Sequence, residues 1–428
     1  MRARPILAGL VLAVLVSPPG QASRGEIYAL VGGRVFPVSG PVLEKGTVVL
    51  RDGLVDAVGA SVVVPVGARV IDVTGLTVTP GLVDGFGAIG LPAARPAPAG
   101  GPAPAPAANP LAPQALALDR VRLSEAVKAR DSGITTALVI PREGVLPGQS
   151  VLLNLGGEKL EAMVLRQPAA LHLHLTSLPR TYPGSLMGTV AYARQALYDA
   201  ARYREEWKAY EAAARGHKRP AYDPALQAWQ EVLAGKELLI VTASRENDVL
   251  RALALADEFK VRVAVAEAPQ AARVAEIVKA RKLPLLVSVN FDPPRAPTFG
   301  TPDDDKERQE IADAERNPAE LHKAGVSFAL VSAFAPDFLA GVRKAIERGL
   351  PAEAALRAIT LAPAEVLGVA DRLGSLEAGK IANVVVWSGE PLAKDTKAKM
   401  VFVDGVLYEP DEKRDTKPSP SPAGEDLR

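Results

Sequence analysis

The sequence predicts an α/β protein: a (β/α)8 TIM-like barrel with a small β-sandwich domain built from both ends of the chain. Three observations carry this. The middle of the chain, 79–372, alternates short β-branched runs with helical stretches, and its length suits eight β/α units. Two short β-rich segments, 27–78 and 373–408, flank it, and each is too small to bury a core alone, so pairing them is the economical solution. Hydrophobic residues make up 48% of the 428 residues, enough for a large core. A doubly wound sheet has the same rhythm, and strand order cannot be read from it.

The chain opens with Arg2 and Arg4, then the apolar run "PILAGLVLAVLV" (5–16), too short for a stable membrane span. "SPPGQAS" follows, with Gly20 and Ala22 at the small-residue positions of a cleavage site. This predicts a signal peptide over 1–22, cleaved after Ala22, and a periplasmic or secreted protein with no membrane association after cleavage. The absence of cysteine excludes disulfides and a lipid-bearing cysteine. A net charge of +1, with Lys and Arg spread evenly, excludes a nucleic-acid footprint.

Within 27–78, "IYALVGGRVFPV", "GTVVLRDGLVDAVG" and "ARVIDVTGLTV" read as strands, with Asp52-Gly53 as a hairpin turn. Within 373–408, Asp404-Gly405 marks a second hairpin. Central strands are expected at 134–140, 151–155, 171–175, 238–242, 261–266, 284–289 and 327–332. Helices are expected at 119–131, 187–215, 246–259, 269–281, 318–324, 337–348 and 352–358, with Asp337 as a cap. The Pro/Ala/Gly-rich stretch 92–113 reads as a mobile loop, and the charged, Pro/Ser-rich 409–428 as a disordered tail. "DDDKER" (303–308) lacks the glycine and ligand spacing of a calcium loop and reads as a solvated loop.

"VTPGLVD" after a β-rich start, a barrel-like middle and "LRAITLAPAEVLGVADRLGSLEAGKIANVVVW" near the end together resemble the metal-dependent amidohydrolase superfamily. The similarity is greatest to its exported, imidazolonepropionase-like amidohydrolases, and "PGQSVLLNLGGEKLEAMVLRQPAALHLHL" and "ARYREEWKAYEAAARG" add to it. The resemblance implies one or two divalent ions at the C-terminal ends of the barrel strands, acidifying a water whose proton a carboxylate on the last strand accepts. It further implies an HxH pair on the first strand, often a modified lysine on the fourth, histidines on the fifth and sixth, and an aspartate on the eighth.

The sequence departs from that pattern at every position that can be matched. In "TVTPGLVDGFGAIGL" the HxH falls on Gly85 and Gly87, or on Phe86 with a shifted register. The fifth-strand histidine falls on Thr242, the sixth strand offers Glu267, and the eighth puts Ser332 or Ala333 where the aspartate belongs.

His172 and His174 in "LHLHL" share one strand face, with the leucines on the other. They read as a relocated metal site, as pocket residues without metal, or as a satisfied polar pair. Catalytic zinc takes three protein ligands, and the other histidines, His217 and His322, sit in surface-like segments. Phe86, His172, His174, Thr242, Glu267, Asn290 and Ser332 are therefore the pocket candidates, with Asp292 beside them at a strand end. No G-x-S-x-G elbow or phosphate-loop pattern is present. The expected function is a binding or partner subunit, without metal or catalytic residues, acting on a small-molecule ligand, as a homo-oligomer or beside an active amidohydrolase relative. The alternative is a hydrolase of non-peptide carbon–nitrogen bonds, of cyclic amide or amidine type, with an atypical zinc site on His172 and His174.

Overall fold

The computed structural model describes residues 26–92, 111–178, 182–291, 303–335 and 337–410. The expected signal peptide (1–22), most of the 92–113 loop, Asp292 and all but the start of the 409–428 tail lie outside the described residues. The strands run in chain order as β1 (Tyr28–Val35), β2 (Leu43–Arg51), β3 (Leu54–Gly59), β4 (Arg69–Asp72) and β5 (Thr77–Pro80). The central region follows with β6 (Leu82–Gly87), β7 (Ile134–Val139), β8 (Gly148–Gln149), β9 (Val151–Asn154), β10 (Val164–Arg166), β11 (Ala170–His174), β12 (Leu238–Ala243), β13 (Val263–Glu267), β14 (Leu285–Ser288) and β15 (Ala329–Val331). The chain closes with β16 (Val384–Trp387), β17 (Ala398–Val403) and β18 (Val406–Tyr408).

Strands from both ends of the chain join one eight-stranded sheet, ordered β18-β17-β16-β5-β1-β2-β3, with β4 beside β1. The join is β5 antiparallel to β16, with Thr77 opposite Trp387 and Pro80 opposite Val384. The two terminal pieces meet edge to edge, because β5 and β16 present free backbone to each other and one ladder satisfies both. Leu30, Val48, Leu50 and Val78 share a core with Val384, Val386 and Phe402. Both Asp-Gly turns hold positive φ at each residue, 51° and 80° at Asp52 and Gly53, 51° and 74° at Asp404 and Gly405. That backbone matches the strand twist, which is why this dipeptide starts a hairpin.

The central strands form two further sheets, β10-β9-β7-β6 and β15-β14-β13-β12-β11-β8. From β11 to β15 neighbours are parallel and consecutive. The expected uniformly parallel order breaks at 148–154: β9 runs antiparallel to β7, and β8 antiparallel to β11. The segment 140–147 is too short for a helical crossover, so the chain turns straight back. Ser150, between β8 and β9, ties the two sheets together: its amide donates to the Ala170 carbonyl at 2.9 Å, and the Ala169 amide to its own carbonyl at 2.9 Å. At the far side, Ala333 N–H donates to the Phe86 carbonyl at 3.0 Å, bringing the end of β15 to the end of β6.

Side chains alternate across these strands. Leu138, Ile240, Ala264, Leu286 and Val331 pack with Phe86 in one core. Leu171, Leu173, Leu239, Val265 and Leu330 pack in another, with the helix residues Leu197, Val249 and Val342. The helices are Leu186–Ala212, Glu246–Phe259, Ala275–Arg281, Asp303–Lys323, Phe338–Glu347, Ala352–Ala358 and Leu361–Val366, besides shorter turns. Asp337 caps its helix by accepting from Ala340 N–H at 2.9 Å. Two expectations shift. The helix expected over 119–131 divides into a short 3-10 turn (Ala117–Arg120) and Leu123–Arg130, since Val121 and Arg122 are extended. The "DDDKER" segment, expected as a loop, opens the helix Asp303–Lys323, which runs on through Pro318. Pro318 read as a helix start, but here it sits within the helix.

Asn383 fastens the terminal sheet to the central strands. Its side-chain amide donates to Asn154 Oδ1 at 2.7 Å and Thr136 Oγ1 at 3.2 Å, and its carbonyl oxygen accepts from Asp404 N–H at 3.2 Å. Trp387 Nε1 donates to Thr79 Oγ1 at 2.8 Å across the β5–β16 pair.

Candidate functional site

β11 sets His172 and His174 on one face because side chains alternate along a strand. Leu171, Leu173 and Leu175 turn the other way, into the core shared with the helices. His172 is fully buried, with its ring centroid 5.9 Å from that of Phe86. Neither of its ring nitrogens has a hydrogen-bond partner among the described residues, and the same holds for His174 Nε2 and Thr242 Oγ1. Thr242 stands opposite His174 in the β11–β12 register. Burial pushes the His172 imidazole well below its ordinary range, and the neighbouring His174 adds to this. Burial likewise brings His174 down to about 4, against a hydrogen bond with the Gly144 backbone. Both rings are therefore neutral at neutral pH.

The end of β6 is occupied by a carboxylate. Asp84 is buried and accepts from Ser332 Oγ at 2.6 Å, Ser332 N–H at 3.0 Å and Phe86 N–H at 3.4 Å. Desolvation raises its pKa above the ordinary carboxylate range, opposed by these hydrogen bonds. The two glycines beside it have no space for larger side chains. A β-carbon on Gly87 would lie 2.3 Å from Asp84 Oδ2 and 2.7 Å from Ser332 Oγ. One on Gly85 would lie 3.2 Å from Leu286 Cδ2 and from Pro363 Cβ. A side chain at Gly87 must displace the Asp84–Ser332 pair, and one at Gly85 must push its apolar neighbours aside.

The structure therefore brings Phe86, His172, His174 and Thr242 together and places Ser332 against Asp84. It leaves the other two candidates apart. Glu267 closes β13 half-buried with φ of 66°, its carboxyl pushed up by burial. Asn290 is exposed, and its amide donates to the Ala333 carbonyl at 3.1 Å. His217 and His322 are exposed, as expected. Sequence reasoning missed Asp84, Phe334, Arg142 and Arg343. Asp84 carried a signal, a charged residue inside the apolar run "LVDGF". The arginines carried none, since nothing in "PRE" or "GVRKA" separates them from surface cations.

Asp84 and Ser332 border a cleft of about 1420 Å³ that is also lined by Ile89, Leu91, Arg142, Phe334 and Arg343. His172 and His174 do not line it.

These residues do not fit a catalytic divalent ion. Two neutral imidazoles are suitable donors, but zinc takes at least three protein ligands. Among the described residues no group of three His, Cys, Asp or Glu side chains could hold a metal. Asp84 is committed to Ser332, and an aromatic ring, Phe86, lies against His172.

Two kinds of similarity to known proteins bear on this fold. Residues 305–408 match the Amidohydrolase family. The whole described fold is that of solved amidohydrolases: the chain superposes on an amidohydrolase from Thermotoga maritima with a TM-score of 0.77 and 24% identity, over 89% of this chain and 100% of that one. A Xaa-Pro dipeptidase solved with methionine in its active site gives a TM-score of 0.58 at 13% identity, over 90% of this chain and 100% of that one. Molinate hydrolase gives 0.54 at 18% identity, over 94% and 99%. The amidohydrolase tasK of Hapsidospora irregularis is 43% identical over 63 residues, a match spanning 15% of this chain and 6% of that protein's length.

Proposed function

We propose that this chain is an amidohydrolase-fold protein of the exported, imidazolonepropionase-like kind that has lost the catalytic metal site and works as a binding or partner subunit. The observation that carries the reading is the set of side chains standing at the expected ligand positions. Phe86 fills volume beside His172, Thr242 offers one hydroxyl, Ser332 holds Asp84, and a side chain at Gly85 or Gly87 must displace its neighbours. In this reading the strands β6, β7, β8 with β9, and β11 to β15 are the eight staves of a barrel, its third stave reversed. The links at Ser150 and at Phe86–Ala333 support that closure. Phe86 keeps the barrel interior packed where an ion would otherwise need charged ligands.

What these residues do is structural and recognitive. Asp84 and Ser332 hold the ends of the first and last staves together and set the cleft floor. His172, His174 and Thr242 form a buried polar layer beneath. The segment 1–22 acts as a cleaved export signal.

The rival reading, a hydrolase of cyclic amides or amidines, is favoured by one observation: His172 has two buried nitrogens without protein partners. A zinc ion there would supply a Lewis acid and an acidified water, but His172 and His174 are short of its ligand requirement. Elemental analysis of the purified protein separates the two. The expected result is well under one equivalent of zinc, with no hydrolysis of cyclic amides or dipeptides and a melting temperature unchanged by chelators, because no binding energy is linked to folding. One tightly held ion, abolished by His172→Ala, sinks the metal-free reading and promotes the rival. N-terminal sequencing of exported protein is expected to begin at Ser23.

A further inference from the structure

The large cleft carries two half-buried guanidinium groups that have no counter-ion among the described residues, besides the exposed Lys394. Arg142, just after β7, lies over the Phe334 ring with its guanidinium carbon 4.8 Å from the centroid. Arg343 reaches the same cleft from the helix Phe338–Glu347. Each has a buried Nε with no hydrogen-bond partner, and neither forms an ion pair among the described residues. The carboxylates on the cleft wall do not neutralise them. Asp84 is turned to Ser332, Asp337 caps Ala340, and Asp131 has contacts of its own. The lysines Lys128 and Lys397 on the wall are likewise engaged.

A half-buried guanidinium with an unpaired Nε–H is costly unless something accepts from it. Desolvation lowers the pKa of Arg142, yet the group stays charged at any physiological pH. The guanidinium is planar and forked, which matches a carboxylate. The cleft wall is mixed, and Ile89, Leu91 and Phe334 give it an apolar portion. Ligand sites combine such an apolar lining with a few fixed polar groups.

We propose that this cleft binds a small organic carboxylate, its carboxylate held by Arg142 and Arg343 and its apolar part against Phe334 and Leu91. This deepens the binding reading given above, and it names the ligand class. Both kinds of chemistry then line one space: cations for the head group, aromatic and aliphatic surface for the body. Phe334 serves both, because its face accepts Arg142 and its edge packs on Phe86 at 5.9 Å between centroids.

The test is isothermal titration of the full chain with benzoate and phenylacetate, against benzyl alcohol as the neutral control. Saturable one-to-one binding is expected for at least one carboxylate, at least tenfold tighter than the alcohol and weakening with added salt. Arg142→Gln and Arg343→Gln are each expected to weaken it tenfold or more. Arg142→Lys and Arg343→Lys keep the charge without the fork; they are expected to weaken binding and to fold even if the Gln variants do not. Absence of saturable binding by both carboxylates, or unchanged binding in every folded variant, overturns the inference. Zinc content of the same samples reports on the metal-free reading alone, so the two can fail separately.

Discussion

At Gly87 the physical reason for a glycine is a carboxylate rather than a turn. The ideal β-carbon position is 2.3 Å from Asp84 Oδ2, so Gly87→Ala must displace the Asp84–Ser332 pair. The expected loss is roughly 1–3 kcal/mol, the usual range for overpacking, read by urea denaturation; an unchanged midpoint would show that the pair has slack. Glu237, at the foot of β12, is a second such residue. It is 6% exposed, its Oε1 has no partner, and burial, then the nearby Glu231, pushes it up to about 7 from 4.5. A folded-state value above the unfolded one means that its contribution is fully present below pH 4.5 and is lost as pH rises through about 7. Glu237→Gln is expected to flatten that alkaline fall in melting temperature, and parallel curves for variant and wild type would refute it. His174 acts with opposite sign. Its value drops to about 4 from 6.5, so its contribution is full above 6.5 and is lost as pH falls toward 4. At this scale composition did little. His172, His174, Phe86 and Ser332 were legible as candidates, whereas Asp84 and the two arginines were not, since what makes them notable is the absence or presence of a neighbour far away in the chain.

β11 shows what a strand pattern does and does not determine. The alternation in "LHLHL" required histidines on one face and leucines on the other, whichever fold contained it. That the leucines meet helices and the histidines meet Phe86 follows from the packing of its neighbours. Leu173 is fully buried in the helix-facing core, so Leu173→Ala is expected to destabilise by roughly 2–5 kcal/mol, measured by thermal or chemical unfolding. A cost below about 1 kcal/mol would place this face near solvent. Asn383 is the corresponding test for the terminal sheet. Asn383→Ala takes the side-chain partner from the Asp404 amide and leaves Asn154 Oδ1 and Thr136 Oγ1 with the 3.3 Å bond between them, and a stranded buried group costs on the order of 1–3 kcal/mol. The expected result is a lower melting temperature with an unchanged fold; no change would mean that these groups find other partners. Helix ends were less legible than strand faces. The helix at Asp303–Lys323 was hidden by its own acidic run, which read as a solvated loop, and by Pro318, which read as a helix start.

The whole molecule depends on its two ends meeting. β16 pairs with β5 and shares a core with β1 and β2. A chain ending before β16 would expose the β5 edge and the apolar faces of Leu30, Leu50 and Val78. Truncation after residue 383 is therefore expected to give insoluble protein, and a soluble, cooperatively unfolding fragment would contradict the shared core. The sequence by itself determined the alternation of strands and helices, both Asp-Gly hairpins and the Asp337 cap, because each depends on residues near one another in the chain. Only the tertiary structure decided that the terminal strands join edge to edge in one sheet, that the segment 148–154 runs backwards, and that Asp84 meets Ser332 across 248 residues of sequence. Those outcomes depend on which backbone edges and buried polar groups find partners, and a partner's position is a property of the folded chain.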